Sequence, residues 1–390
     1  MFSKRTNWKL TPNALTLAQR EMAAAGREVL DLTASNPTRV GLNYDSEAIT
    51  GSLAQAAGLD YEPQPKGMLV ARQAVSDYYR EQHNTFSVSP ENIILTSSTS
   101  EAYFHLFHLL CNPDDRVLVP KPSYPLFDFL AGLSDVKLIP YPLIYDHGWQ
   151  MDFVSLYKAV DHRTRAVVLV HANNPTGSYV HENEFRPVNA FCREYNLALI
   201  VDEVFLDYAH DGASRRTFAA NPDALTFTLS GLSKVSGLPQ MKLAWIASSG
   251  LEEQVAAAMD RLEIVADTFL SLSTPVQLAS PVLLKQRKNI QPVLLDRLRA
   301  NLEELDRQLL HSSRCKRLAT EGGWYAVLRV PVTQSDEELA VKILRGCSVL
   351  VHPGHFYDFP QDGYLVLGLI TAIDQFREGV KRILQLVDSD

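Results

Sequence analysis

From about residue 90 the chain alternates short apolar runs with longer stretches of helical spacing, and turn-forming clusters separate them. "ENIILT" leads into "SSTSEAYFHLFHLL", "DRVLVP" into "KPSYPLFDFLAGL" and "TRAVVLV" into "HANNPTGSYV", while "LALIVDEVF" follows the helix-like "ENEFRPVNAFCREYN". Such alternation predicts an α/β fold: a mostly parallel central sheet sandwiched by helices, with functional loops gathered at the carboxyl ends of its strands. After residue 275 the pattern changes. "DRLRANLEELDRQLL" puts Leu298, Leu302, Leu305 and Leu309 on one helix face, and the strand-like "WYAVLRV", "SVLVH" and "YLVLGLI" follow. We therefore expect a large domain over 46–275 and a smaller α+β domain over 276–390. The segment 1–45, in which "REVLDLTASNPTRVGL" joins a helix to an apolar strand and a turn cluster, is expected to pack on the smaller domain.

Length and composition narrow the functional classes. A chain of 390 residues exceeds what one hydrophobic core usually organises, leaving room for a buried site. The net charge of −8 is modest at this size, and no basic stripe appears, which argues against nucleic acid as a partner. Cys111, Cys192, Cys315 and Cys347 lack metal-ligand or disulfide spacing, so no metal site is expected. "MFSKRTNWKL" has no apolar signal-like core, and the longest uncharged run, Thr268 to Leu284, is broken by Pro275 and Pro281. The expectation is a cytoplasmic protein that does not associate with a membrane.

Four strand-end loops carry candidate chemistry. In "TSSTSE", Ser98, Thr99 and Ser100 stand between a strand and a helix, where free N–H groups and hydroxyls suit an anion and equally suit helix capping. In "HANNPTG", Asn174 is set either to project an amide from the sheet edge or simply to make a turn. In "LIVDEVF", Asp202 ends an apolar run, where an unpaired carboxylate is costly unless a cation answers it; a chain-reversing surface acid is the alternative. In "LSGLSKVSGLPQMKLAW", Lys234 and Lys242 flank a Gly/Pro turn, either as solubilising charges or as site residues. One cofactor needs an anion cradle, an amide, a buried acid and a lysine together. Pyridoxal phosphate takes the lysine on its aldehyde, the acid beside its pyridine nitrogen and donors around its phosphate.

With these loops in hand, the chain resembles fold-type I pyridoxal-phosphate enzymes, specifically the class I/II aminotransferase family. "SNPT", "YEPQPKGMLVAR", "TSSTSEAY", "PSYPLF", "NNPTG", "DEVF", "SKVSGLPQMKLAW", "GGWYAVL" and "VHPGHF" occur in the family's order. The resemblance implies that Lys234 forms the aldimine with the cofactor and shuttles the proton, that Asp202 pairs with the pyridinium nitrogen, and that Asn174 bonds the ring oxygen. It implies stacking by Tyr124 and a phosphate site of Ser98, Thr99, Ser100, Ser233 and Lys242. It also implies a homodimer in which Tyr61 reaches the neighbouring subunit's phosphate, and it points weakly to Asn36 at the substrate. The implied reaction moves an amino group between an amino acid and a 2-oxo acid. A lyase such as a carbon–sulfur β-lyase is the alternative on this scaffold, followed by a non-catalytic regulator.

Four departures from the family pattern stand out. Lys242 stands where relatives usually carry arginine, and Gly231 where many carry serine. Phe205 replaces a usual tyrosine, which implies a higher aldimine pKa unless Tyr208 fills in. Residues 362–376 contain no arginine for the substrate carboxylate; Val366 or a neighbour takes its place, leaving Arg39, Lys121 and Arg377 as candidates.

Overall fold

The computed structural model describes residues 1–83, 88–125, 127–213 and 215–389. The apolar runs between residues 90 and 231 all enter one eight-stranded sheet. Its strands lie in the order Ile93–Thr96, Ala244–Ser249, Thr226–Gly231, Ala198–Asp202, Thr164–Val170, Arg116–Lys121, Lys137–Tyr145 and Trp149–Met151. Ala244–Ser249 runs antiparallel to both neighbours, Trp149–Met151 runs antiparallel to Lys137–Tyr145, and the other pairings are parallel. The sheet is therefore mostly parallel, as the alternating pattern predicts.

Both faces of this sheet are covered. Side chains alternate across a strand, so Ala198 and Ile200 pack with Ala102, Tyr103 and Leu262, while Leu199 and Val201 pack with Phe185, Val188 and Phe191 on the other side. Burial on both faces is why these strands read as unbroken apolar runs rather than as alternating ones.

A four-stranded antiparallel sheet, ordered Lys316–Arg317, Tyr325–Arg329, Tyr364–Gly368 and His352–Pro353, forms the second layer system. The helix Arg287–Leu309 lays Leu298, Leu302 and Leu305 into the core around it, and Leu309 is partly buried at its end. Leu30–Asp31 pairs in parallel with Val349–Leu350, and Leu15, Ala18 and Met22 of the helix Ala14–Ala24 join the same core.

Residue 275 lies inside the helix Thr274–Lys285, whose Ala279, Leu283 and Leu284 are buried with Ile49, Val75, Tyr78, Tyr79 and Trp245. Pro275 occupies an opening position of that helix, where no backbone N–H is required, so the break in pattern there marks a helix start. Among the described residues, no helix is long and apolar enough to cross a membrane, and no group of His, Cys, Asp and Glu could hold a metal ion.

Candidate active site

The parallel strands end together, and their loops bring the four candidate clusters to one edge of the sheet. Asp202 is the last residue of Ala198–Asp202 and is only 9% exposed. Its Oδ2 accepts a hydrogen bond from the Tyr103 hydroxyl at 3.2 Å, and its Oδ1 accepts from the Val204 N–H at 3.1 Å. Burial pushes its carboxyl up to about 6, opposed by those two donors and by the charge of Lys234.

Lys234 sits one turn beyond the strand Thr226–Gly231, in the short helix Leu232–Val235. Its Nζ lies 4.5 Å from the centre of the Trp324 ring, 5.5 Å from that of Phe205 and 3.4 Å from the Ser35 carbonyl oxygen, to which it donates. Burial pulls this amine down to about 8 from the usual lysine value, with Asp202 acting against the shift. The ammonium is thus held by an indole face and a carbonyl, with no carboxylate in direct contact. An amine whose proton affinity is lowered in this way is a better nucleophile than a solvated lysine.

Asn174 is buried, and its Oδ1 has no hydrogen-bond partner. The unpaired atom is the amide's acceptor, which calls for a donor, while a ligand oxygen would be met by Nδ2 instead. Ser98 caps the helix Thr99–Leu110 by accepting from the Glu101 N–H at 3.2 Å, so it does the work of a helix cap. The first-turn N–H groups of Thr99 and Ser100 have no acceptor within their own helix and are half-buried. Ser233 is half-buried beside Lys234. Tyr124 is 43% exposed, close enough for the Asp202 charge to act on its hydroxyl.

Lys242 adopts a left-handed conformation, with φ 51°, on the exposed side of its turn. Asn36 caps Pro37–Arg39, its Oδ1 accepting from the Thr38 N–H and hydroxyl; it lines an open cleft with Ser35, Arg39, Thr371 and Gln375. Tyr61 is 80% exposed and lines a separate surface hollow with His105, Ser271 and Gln277. Leu126 of the "PSYPLF" motif lies outside the described residues.

The departures have physical reasons or consequences. A Cβ on Gly231 would come within 2.9 Å of the Ala244 Cβ on the neighbouring strand, so the close pairing of these strands excludes serine there. Tyr208 does not stand in for the missing tyrosine at 205: its hydroxyl donates to the Lys234 main-chain carbonyl at 2.7 Å. Val366 is buried in its strand between Val327 and His352. Of the candidate cations, Lys121 is paired with Asp358 and Arg377 with Asp374 and Glu304, whereas Arg39 has no ionic partner among the described residues.

Three residues of the site escape a reading of the chain alone. Tyr103 shows only as a helical aromatic, Trp324 only as part of "GGWYAVL", and Ser35 acts through its backbone. The donor set as a whole fits pyridoxal phosphate. A lysine and a buried carboxylate that feel each other's charge, a helix start tied to that carboxylate through Tyr103, and an amide beyond a neighbouring strand are the groups that an aldehyde, a pyridine nitrogen, a phosphate and a phenolic oxygen would need.

Comparisons with known proteins agree. The chain is 25% identical over 372 residues to the glutamate-pyruvate aminotransferase AlaA of Haemophilus influenzae, covering 93% of this chain and 91% of that one. It is 26% identical over 373 residues to the alanine aminotransferase of Mycobacterium tuberculosis, covering 93% and 86%. Among solved structures, the alanine aminotransferase from Pyrococcus furiosus superposes with a TM-score of 0.91 over 100% of both chains at 21% identity, which speaks to the fold. A sequence model of the family described as aminotransferase class I and II, whose members depend on pyridoxal phosphate, matches residues 28–371, and the chain belongs to that family.

Proposed function

We propose that this protein is a pyridoxal-phosphate-dependent aminotransferase that moves an amino group between a small amino acid and a 2-oxo acid. The observation that carries the reading is the placement of Lys234 Nζ: an amine with its proton affinity lowered by burial, under the Trp324 ring and within the field of the buried Asp202. The names of the relatives, glutamate-pyruvate and alanine aminotransferase, support small substrates of this kind.

Bound pyridoxal phosphate supplies an electron-withdrawing ring that makes the proton on the substrate's α carbon removable. The chain's own residues do the rest. Lys234 Nζ would hold the aldehyde, and as a free amine it is the group suited to take up and return the proton on the substrate's α carbon. Asp202 would face the ring nitrogen and keep it protonated. Asn174 Nδ2 would donate to the ring oxygen, and Tyr124 would hold the ring from its face. The N–H groups of Thr99 and Ser100, with Ser98, Ser233 and Lys242, hold the phosphate. Asn36 and Arg39 receive the substrate carboxylate from the cleft they line. The assembly is a cytoplasmic homodimer in which Tyr61 completes the neighbouring phosphate site.

Half-reaction spectroscopy tests the proposal. Incubation of the loaded enzyme with alanine or glutamate should convert it to the pyridoxamine absorbance, and addition of the matching 2-oxo acid should restore it. Release of pyruvate and ammonia from cysteine-like substrates, with no amino acid giving that conversion, would instead make the protein a lyase. One relative, an S-alkyl-thiohydroximate lyase of Arabidopsis thaliana, is 26% identical over 251 residues.

A further inference from the structure

The helix that carries Lys234 is only four residues long; its Leu232 carbonyl accepts from the Ser236 and Leu238 N–H groups, and its Lys234 carbonyl from the Gly237 N–H at a long 3.3 Å. Side chains from three distant segments add shorter bonds to this turn. The Tyr208 hydroxyl donates to the Lys234 carbonyl at 2.7 Å, Gln291 Nε2 to the Val235 carbonyl at 2.9 Å, and the Tyr44 hydroxyl to the Gly237 carbonyl at 2.7 Å. Gln291 is itself anchored, its Nε2 lying 2.7 Å from Asp207 Oδ2, which also accepts from the Tyr78 hydroxyl at 3.0 Å. Tyr208 is fully buried. The donors belong to the N-terminal segment, the loop after Asp202 and the long helix Arg287–Leu309.

We propose that Tyr208 and Gln291 are positioning residues for Lys234: by holding the carbonyls of Lys234 and Val235 they set the direction of the lysine side chain, and thereby the rate at which its amine captures an aldehyde. Without Gln291 the Val235 carbonyl loses its side-chain donor, and without Tyr208 the Lys234 carbonyl keeps only the long bond from the Gly237 N–H, so the one-turn helix relaxes when either donor is lost. Nζ then leaves its place between the Trp324 face and the Ser35 carbonyl. Capture requires the amine to meet the aldehyde in a narrow range of distance and angle, so a modest relaxation is felt in the rate.

The proposal rests on Lys234 being the point of cofactor attachment, and the test separates the two. The rate of pyridoxal phosphate uptake by cofactor-free protein is followed by absorbance, and borohydride trapping with peptide mapping confirms the attached residue. Amine labelling of Lys234 in cofactor-free protein is measured against pH as a second readout. Tyr141→Phe is the matched control, because Tyr141 is equally buried and donates to the Val168 carbonyl at 2.8 Å, in the strand Thr164–Val170. Tyr208→Phe and Gln291→Leu should slow uptake about tenfold or more and change the labelling profile, while Tyr141→Phe stays within about twofold. If all three variants lose comparable stability and take up cofactor at the wild-type rate, the positioning role is wrong. If wild-type protein traps no cofactor at Lys234, the underlying reading fails instead.

Discussion

Asp202 and Glu203 are consecutive, yet their carboxylates leave the sheet on opposite faces. Asp202 meets the Tyr103 hydroxyl, whereas Glu203 is held by the Thr217 hydroxyl and the Phe218 N–H, both at 2.6 Å. The strand's alternation divides one acidic pair into a site residue and a residue buried behind it.

That division predicts unequal effects on turnover. Asp202→Asn should lower kcat by about a hundredfold or more, because the ring nitrogen loses its charged partner. Glu203→Gln should leave turnover near wild type, since the amide oxygen can accept from the Phe218 N–H while its NH2 donates to the Thr217 hydroxyl oxygen. Steady-state kinetics on the two variants decide the matter, and equal losses would contradict the division.

Glu203 also makes a pH signature in stability. Burial pushes its carboxyl up to about 8 from the usual 4.5, so across this window the folded protein binds a proton that the unfolded chain has released. Its contribution is complete below the unfolded pKa and is lost as pH rises through about 8. Denaturant midpoints should therefore fall from pH 5 to pH 8 more steeply in wild type than in Glu203→Gln, which carries no such proton. Parallel curves for the two proteins would show that Glu203 titrates normally.

The phosphate side offers a contrast between two departures from the family pattern. Lys242→Arg changes an exposed side chain and introduces a bidentate donor, so it should tighten pyridoxal phosphate by about tenfold at no cost in stability. Gly231→Ser cannot restore the family's hydroxyl without pushing the strand Ala244–Ser249 aside, and it should cost about 1–3 kcal/mol. Equilibrium dialysis and thermal melts measure the two effects. A stable Gly231→Ser variant with tighter cofactor binding would mean that the strands yield easily.

Arg39 is the candidate for the carboxylate contact that Val366 cannot make. Arg39→Met should raise KM for amino acid and 2-oxo acid alike by about ten- to hundredfold. Arg377→Met, which breaks only the pairs with Asp374 and Glu304, should leave KM unchanged. An Arg39 variant with wild-type KM would send the search to neutral donors in the cleft.

Legibility in the chain followed the range of the physical cause. The strand ending at Asp202 and the turn after "AVVLV" are local, set by apolar runs and turn residues, and so they could be read directly. The coincidence of a lysine, an acid, an amide and a hydroxyl cluster at strand ends follows from the parallel topology, and it pointed to the cofactor. What could not be read depends on distant segments meeting. Tyr208 and Gln291 act on carbonyls far along the chain, Trp324 becomes part of the site only when its loop folds over Lys234, and Ser35 contributes an atom that every residue has. The lack of an arginine around Val366 is visible in the chain, whereas Arg39, the group proposed to answer it, lies on another segment.

The contact between Lys234 and Trp324 has an optical consequence. Of the chain's four tryptophans, Trp324 is the one whose ring faces the Lys234 amine, and it is fully buried. Were pyridoxal phosphate attached at that amine, as proposed, an absorbing group would lie close to this buried fluorophore and quench it. The indole would then double as a native gauge of how full the site is, one that needs neither substrate nor added dye.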